Sequence, residues 1–323
     1  MAEIGKDILK AKRLLEEGEL VAIPTETVYG LAANALDPKA VAKIFSAKKR
    51  PHFDPLIVHV RDVDDVGSYT QNIPREAKQL IQKFWPGPLT LLLNKKEIIP
   101  DLVTSGLDRV GLRCPDHPLT LKLLKSISFP LAAPSANPFG YISPTRPRHV
   151  QDQLGNELEY ILDGGASKVG VESTIVGFES VRPVIYRVGG LSIEDVEEVV
   201  GKTEVKLSSS NPQAPGQLIN HYAPRKPLLL GNISELIQQH TQKKIGILSF
   251  SENFTAANIV MQVVLSSGKN LEEAAQNLFS GLRQLDQSRA EIILAEEVPN
   301  IGLGRAINDR LNRAQVSKTY CFY

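Results

Sequence analysis

The side chains most able to do chemistry lie in a few short runs of small, hydroxylated and cationic residues. Lys48-Lys49-Arg50-Pro51 sets three cations at the end of a helical pattern, where the proline turns the chain. Such a run can complement the carboxyl end of a helix, or it can clamp phosphates, a task suited to the arginine fork and the lysine point charge. Asp54-Pro55 and then a strand bearing His59 among aliphatics follow at once, so the basic turn lies beside a strand end, where α/β sheets place ligands. His59 by itself reads as a hydrogen-bonded structural residue.

Pro24-Thr25-Glu26-Thr27-Val28-Tyr29-Gly30 follows the first apolar strand. Its hydroxyls and single acid could hold a small polar ligand, or form a plain strand-to-helix turn with Thr25 or Thr27 as its cap. In Ala132-Ala133-Pro134-Ser135-Ala136-Asn137-Pro138 a buried strand opens into a loop of small residues, which lets a ligand approach the backbone, with Ser and Asn to read it. As a turn the segment is equally ordinary. Ser143-Pro144-Thr145 repeats this chemistry, and Gly170-Val171-Glu172-Ser173-Thr174 adds a hydroxyl pair. Arg113 and Arg187 each end a strand pattern. Cations at several strand ends, with no acid near them in sequence, suggest an anion-binding hollow.

Other chemistries are excluded. No Walker A run ending in Gly-Lys-Ser/Thr is present, and no nucleophile elbow or Cys-His pair stands out. Cys114 and Cys321 are far apart and offer neither metal-ligand nor disulfide spacing, which fits a reducing compartment. A charged amino-terminal stretch without a signal-like apolar core, and no run near the ~20 apolar residues of a membrane span, predict a cytoplasmic protein with no membrane contact. The formal net charge is +1, so any nucleotide or RNA binding must rest on locally concentrated cations.

Hydrophobic periodicity supplies the elements that must position these residues. Helices are predicted over Ile8–Glu17, Pro38–Lys48, Pro74–Phe84, Leu119–Ser126 and Ile193–Val200. Strands are predicted over Leu20–Ile23, Leu56–Val60, Leu89–Leu93, Val110–Arg113, Pro130–Ala133, Tyr160–Leu162, Ser173–Val176 and Val184–Val188. Residues 206–227 are rich in Ser, Asn, Pro and Gly and read as a linker between a first domain, 1–205, and a second, 228–323. In the second, strands at Ile245–Phe250, Ile259–Leu265 and Ile292–Val298 alternate with helices at Leu271–Leu285 and Arg305–Ala314, a Rossmann-like pattern.

Taken together, these motifs resemble the threonylcarbamoyl-AMP synthase family in its longer, two-domain form. The resemblance runs through Pro24–Leu31, Ala47–Pro51, Pro55–His59, Trp85–Thr90, Ala133–Asn137, Ser143–Thr145 and Val171–Thr174, and ends in the linker at His221-Tyr222-Ala223-Pro224. It implies an α/β fold: a twisted mixed α/β sheet with a basic concave cavity, followed by a smaller Rossmann-like domain. It also implies a reaction in which the amine of L-threonine captures carbon dioxide or bicarbonate. The carbamate then attacks the α-phosphate of ATP, and the product passes to a threonylcarbamoyl transferase that modifies tRNA beside the anticodon.

By resemblance Lys48 and Arg50 are catalytic, Arg50 facing a solvated cavity. ATP would be bound by Lys48, Arg50, Asp54, Arg109, Ser135, Asn137, Ser143, Arg187 and Tyr222. Threonine would be held by Thr27, His59, Arg113, Ala133 and Ser173, with Arg113 on its carboxylate. Asp54 stands where the family more often has Asn, and Ala32 where it usually has Gly. Magnesium is implied as a cofactor bound mainly through the ATP phosphates, with no protein metal site. The linker, with Tyr222 against ATP, would close as a lid. A competing class is a double-stranded RNA or nucleotide binding module without catalysis, in which Lys48, Lys49, Arg50, Arg146 and Arg148 contact phosphates. Carbamoyl transfer from carbamoyl phosphate is a second enzymatic alternative.

Overall fold

The computed structural model describes residues 1–179, 182–207, 214–215 and 222–315. Contacts divide the chain into a first unit, Met1–Phe139 with Ser143–Leu218, and a second, Gly140–Ile142 with Ile219–Tyr323.

The first unit begins with β1 (Glu3–Gly5), α1 (Ile8–Glu16), β2 (Val21–Ile23), β3 (Gly30–Asn34) and α2 (Pro38–Lys48). The Asp7 carboxylate accepts from the amides of Leu9 and Lys10 and so starts α1; Asp37 caps α2, with Pro38 in its first turn. Then come β4 (Ile57–His59), α3 (Val66–Tyr69), α4 (Arg75–Phe84), β5 (Leu89–Asn94), α5 (Asp101–Thr104), β6 (Arg109–Arg113), α6 (Pro118–Ser126) and β7 (Leu131–Ala132). The unit is completed by α7 (Pro147–Leu154), β8 (Tyr160–Leu162), β9 (Thr174–Glu179), β10 (Arg182–Arg187), α8 (Ile193–Val200) and β11 (Glu204–Val205).

These strands form one mixed sheet of order β1-β8-β2-β3-β7-β4-β6-β5-β9-β10-β11. Leu14 and Leu15 of α1 and Leu123 and Leu124 of α6 pack on Val21, Leu131, Tyr160 and their neighbours from the sheet, forming a core at one end of it. The strand-to-helix turn expected after the first strand is a correction. The chain instead returns as β3, antiparallel to β2, with Ile23 opposite Gly30. Gly-Leu-Ala-Ala has no β-branched residue to signal a strand. Its small size is nonetheless needed, because a Cβ on Gly30 would lie 3.1 Å from the Cβ of Ala133.

The second unit contains β12 (Leu228–Leu230), α9 (Ile233–Gln239), β13 (Ile245–Ser249), β14 (Ile259–Val264), α10 (Leu271–Gln287), β15 (Ile292–Ala295) and α11 (Gly304–Ala314). Its four strands are all parallel, in the order β12-β15-β13-β14. Helices connect β12 to β13 and β14 to β15, as the Rossmann-like pattern requires. Tyr141 belongs to this unit, where its hydroxyl donates to Asp286 at 2.6 Å. No helix among the described residues is long and apolar enough to cross a membrane.

Candidate active site

The basic turn is built by a single backbone choice. Lys49, at the end of α2, takes a left-handed conformation with φ of 53°, a common way for a helix to stop. The run is thereby split: Lys48 and Arg50 turn inward and are buried, while Lys49 is exposed. Lys48 Nζ donates to the carbonyls of Ser135 and Asn137, each at 2.5 Å, so the helix end is tied to the small-residue loop. Arg50 donates to the carbonyls of Asp54 (3.1 Å) and Pro55 (2.9 Å) and pairs with the Asp54 carboxylate at 2.8 Å.

Two expectations are corrected here. Arg50 does not face a solvated cavity: its side chain is 4% exposed against a fully buried Asp54. Nor do the cations lack acids. Burial and then Arg50 push the Lys48 ammonium well below its usual range, while Asp54 and Glu172 oppose them. Burial raises the Asp54 carboxyl, and Arg50, Lys48 and Arg187 pull it back. Lys48, Arg50, Arg187, Asp54 and Glu172 therefore act as one electrostatic group. Ser143, fully buried, donates to Glu172 at 2.5 Å and joins it.

A second set lies across the middle of the sheet. β4 and β6 are parallel, and their register sets His59 beside Arg113. β5 runs antiparallel to β6, with Leu91 opposite Leu112; one step further on, Thr90 stands opposite Ile175, and Ile175 in turn opposite Arg187. The register shifts between Ile185 and Arg187, a bulge of the kind that re-aims a side chain at a sheet end. Arg187 there donates to both the carbonyl and the hydroxyl of Ser173, each at 3.0 Å, and Ser173 shares a 2.7 Å hydrogen bond with Thr90. Ser173, expected on threonine, and Arg187, expected on the nucleotide, thus touch.

His59 is buried, and burial followed by the nearby Arg113 lowers its pKa to about 3, so it is neutral at physiological pH. Its Nδ1 has no hydrogen-bond partner among the described residues. Arg113 donates to the Gly87 carbonyl at 3.3 Å and lies 2.6 Å from Glu26 Oε1. The acid that balances Arg113 is thus 87 positions away in sequence, which is why reading neighbours in sequence missed it. Thr27 is fully buried, and its hydroxyl shares a 2.8 Å hydrogen bond with that of Thr25. Ala133 sits against Gly30 and donates to the Ile57 carbonyl at 3.0 Å.

Not every expected residue joins these sets. Arg109 begins β6, four residues from Arg113, or roughly 13 Å along the strand at ~3.3 Å per residue. It lies instead over the Tyr186 ring, 5.2 Å from its centroid, and donates to the Tyr186 hydroxyl at 3.3 Å. Tyr222 lies in the core of the second unit, its ring stacked on Phe279 at 5.7 Å and covered by the Arg310 guanidinium at 4.9 Å. Contact between its ring face and ATP would require that packing to open. His221 lies outside the described residues. Sequence reasoning gave Glu26 no more than a general part in holding a small polar ligand and left Glu172 and Thr90 without roles, although each stands in a run quoted for its chemistry or for the resemblance. Their signal was adjacency to Thr27, Ser173 and the Trp85–Leu89 turn. Cys114 is buried, and burial pushes its thiol up to about 12, which removes it as a nucleophile.

Comparison with known proteins places the chain among known families. A family model described as "Telomere recombination" matches residues 13–189, and one described as "Threonylcarbamoyl-AMP synthase, C-terminal domain" matches residues 191–315. The threonylcarbamoyl-AMP synthase of Pyrococcus abyssi is 41% identical over 320 residues, covering 94% of this chain and 92% of its own. That of Bacillus subtilis is 42% identical over 321 residues, covering 95% and 92%. The crystal structure of P. abyssi Sua5 complexed with L-threonine matches with a TM-score of 0.91 and 40% identity, covering 97% of each chain. This chain belongs to the threonylcarbamoyl-AMP synthase family.

Proposed function

We propose that the chain is an L-threonylcarbamoyladenylate synthase, a nucleotidyltransferase that makes threonylcarbamoyl-AMP and pyrophosphate from L-threonine, bicarbonate and ATP. The observation that carries this reading is the junction of the two sets through the Ser173–Arg187 hydrogen bonds. A hydroxyl-rich set there meets a cationic set suited to phosphates. A substrate oxygen is the nucleophile, so the protein's work is positioning and charge stabilisation, and the site needs no activated serine or cysteine. Lys48, Arg50 and Arg187, with Ser135, Asn137 and Ser143, receive the nucleotide; Thr27, His59, Arg113, Ala133 and Ser173 receive threonine.

Magnesium would arrive on the nucleotide and offset phosphate charge. Among the described residues no group of three or more His, Cys, Asp or Glu gathers to cage a metal, and a phosphate-held, hydrated ion needs no such cage. The product goes to a threonylcarbamoyl transferase acting on tRNA, which makes the cytoplasm its working compartment.

A duplex-RNA module fits less well. Lys48 and Arg50 are buried, while only Lys49, Arg146 and Arg148 of that set are exposed, and a phosphate backbone reaches exposed cations. The test is pyrophosphate release from ATP. Release that needs both threonine and bicarbonate is the expected result. Release without either, or a demand for carbamoyl phosphate, would overturn the assignment.

A further inference from the structure

The turn at Pro24–Tyr29 holds one group that the reading above leaves without work. Thr25 fixes the turn: its hydroxyl donates to the Val28 carbonyl at 2.6 Å and accepts from the amides of Thr27 and Val28, each at 3.2 Å. Glu26 sits at its tip, its own carbonyl accepting from the Val169 amide at 2.7 Å. The backbone is therefore pinned on both sides, yet the side chain is incomplete. Glu26 is 5% exposed, and neither carboxylate oxygen accepts a hydrogen bond among the described residues.

Arg113 Nη2 comes within 2.6 Å of Glu26 Oε1, but the pair is not aligned as a hydrogen bond, and Nη2 has no other partner among the described residues. Buried polar groups are normally hydrogen-bonded, and a buried ion pair is favourable only when its remaining donors and acceptors are satisfied. Here a cation and an anion stand side by side, with Nη2 of the one and both oxygens of the other lacking a hydrogen bond among the described residues, next to the expected threonine residues Thr27 and His59. That is the complement of a zwitterion, whose carboxylate would take the guanidinium and whose ammonium would take the carboxylate. The other titratable groups that sense Glu26 are Cys114 and His117, both just beyond the end of β6.

Resting on the function proposed above, we propose that Glu26 is a catalytic residue: it binds the ammonium of threonine and takes its proton. The ammonium passes a proton to the Glu26 carboxylate, leaving a neutral amine and a carboxylic acid. The acid returns that proton to bicarbonate, which loses water and becomes carbon dioxide. The amine nitrogen bonds to the carbon, and its remaining extra proton goes back to Glu26 and then to solvent. The sum is ammonium plus bicarbonate giving carbamate, water and one proton, and it balances in atoms and charge. No redox partner is needed. The simpler alternative is that Glu26 only neutralises Arg113.

The two roles separate on pH. The first proton transfer is dispensable once the amine is already neutral in solution; a counter-ion is not. Threonine- and bicarbonate-dependent pyrophosphate release is measured for wild type, Glu26→Gln and Glu26→Asp from about pH 7 to about pH 9.5. For Glu26→Gln, kcat/KM for threonine is expected to fall by about 10²–10³-fold near pH 7, with KM for ATP unchanged. The deficit should shrink by up to about tenfold per pH unit as the amine loses its proton. Glu26→Asp, which keeps the charge, should show a smaller deficit with the same pH dependence, and it serves as the test if Glu26→Gln does not fold. A deficit that stays constant across the pH range, or full activity of Glu26→Gln near pH 7, overturns the proposal. Wild type that releases no pyrophosphate removes the underlying reaction itself, a failure distinct from a wild type that works equally well without Glu26.

Discussion

At the scale of single residues, the site is defined by opposite charges placed where water cannot reach them. Arg50 and Asp54 illustrate the consequence. Their contact is 2.8 Å and nearly free of solvent, so truncating one partner strands the other. Arg50→Ala is expected to lower turnover by roughly 10²-fold or more. It should also destabilise the fold by about 3–5 kcal/mol, as breaking a buried pair does. The pH sign follows from Asp54, whose carboxyl is raised above 3.8 by burial. Between the unfolded and the folded value the folded state binds more proton than the unfolded chain does, so stability is lost as pH rises through that window. Removing Arg50 raises that carboxyl further, and the deficit of Arg50→Ala should widen from about pH 5 to about pH 8. Adding Asp54→Asn should recover most of it. Urea unfolding of the two single variants and the double at both pH values measures the coupling; additive losses would mean that the pair does not interact. The residue types were legible in the sequence, since every cation singled out is buried in or beside the site except Lys49, Arg109, Arg146 and Arg148. Their partners were not, because Arg113 and Glu26 meet only after the sheet has formed.

At the scale of elements, strand register does the positioning. His59, Arg113, Thr90 and Arg187 come from four strands and become neighbours because parallel β4 and β6, antiparallel β5 and the bulged β10 align their ends. The end of β10 matters for a second reason. Gly189 follows it, and a Cβ there would lie 2.2 Å from the Glu172 carbonyl and 2.6 Å from that of Ser173. Those atoms are backbone and cannot swing aside. Gly189→Ala should therefore push the Glu172–Ser173 segment away from Arg187, cost about 1–3 kcal/mol of stability as overpacking does, and weaken threonine binding more than ATP binding. Calorimetry with each ligand checks the order; equal loss for both, or none, would show that the segment tolerates the shift. The capped helices α1 and α2, and α4 with its apolar stripe, were legible in the sequence. β3 and α7 were not, since Gly-Leu-Ala-Ala carries no strand signal and Pro147–Leu154 buries only Val150 and Leu154.

At the scale of the whole molecule, the chain crosses between its units more than once: Gly140–Ile142 groups with the second unit although the chain on both sides of it belongs to the first. Tyr222 marks the other crossing. Its ring lies between Phe279 and Arg310 in the sense of touching both, so Tyr222→Ala should destabilise the second unit by about 3–5 kcal/mol, as loss of a buried aromatic does, while Tyr222→Phe keeps the packing. If the linker also closes as a lid, ATP with threonine should slow proteolytic cutting within 206–227 in wild type and in Tyr222→Phe alike. Unchanged cleavage with both ligands present would leave the segment a tether. The sequence alone determined the family and the types of the side chains proposed for the site, because local pattern and motif order carry that information. Tertiary structure decided which charges are paired, which are buried, and where Arg109 and Tyr222 go. Burial, and a pairing such as that of Arg113 with Glu26, depend on distances between residues remote in the chain, and no local pattern encodes those distances.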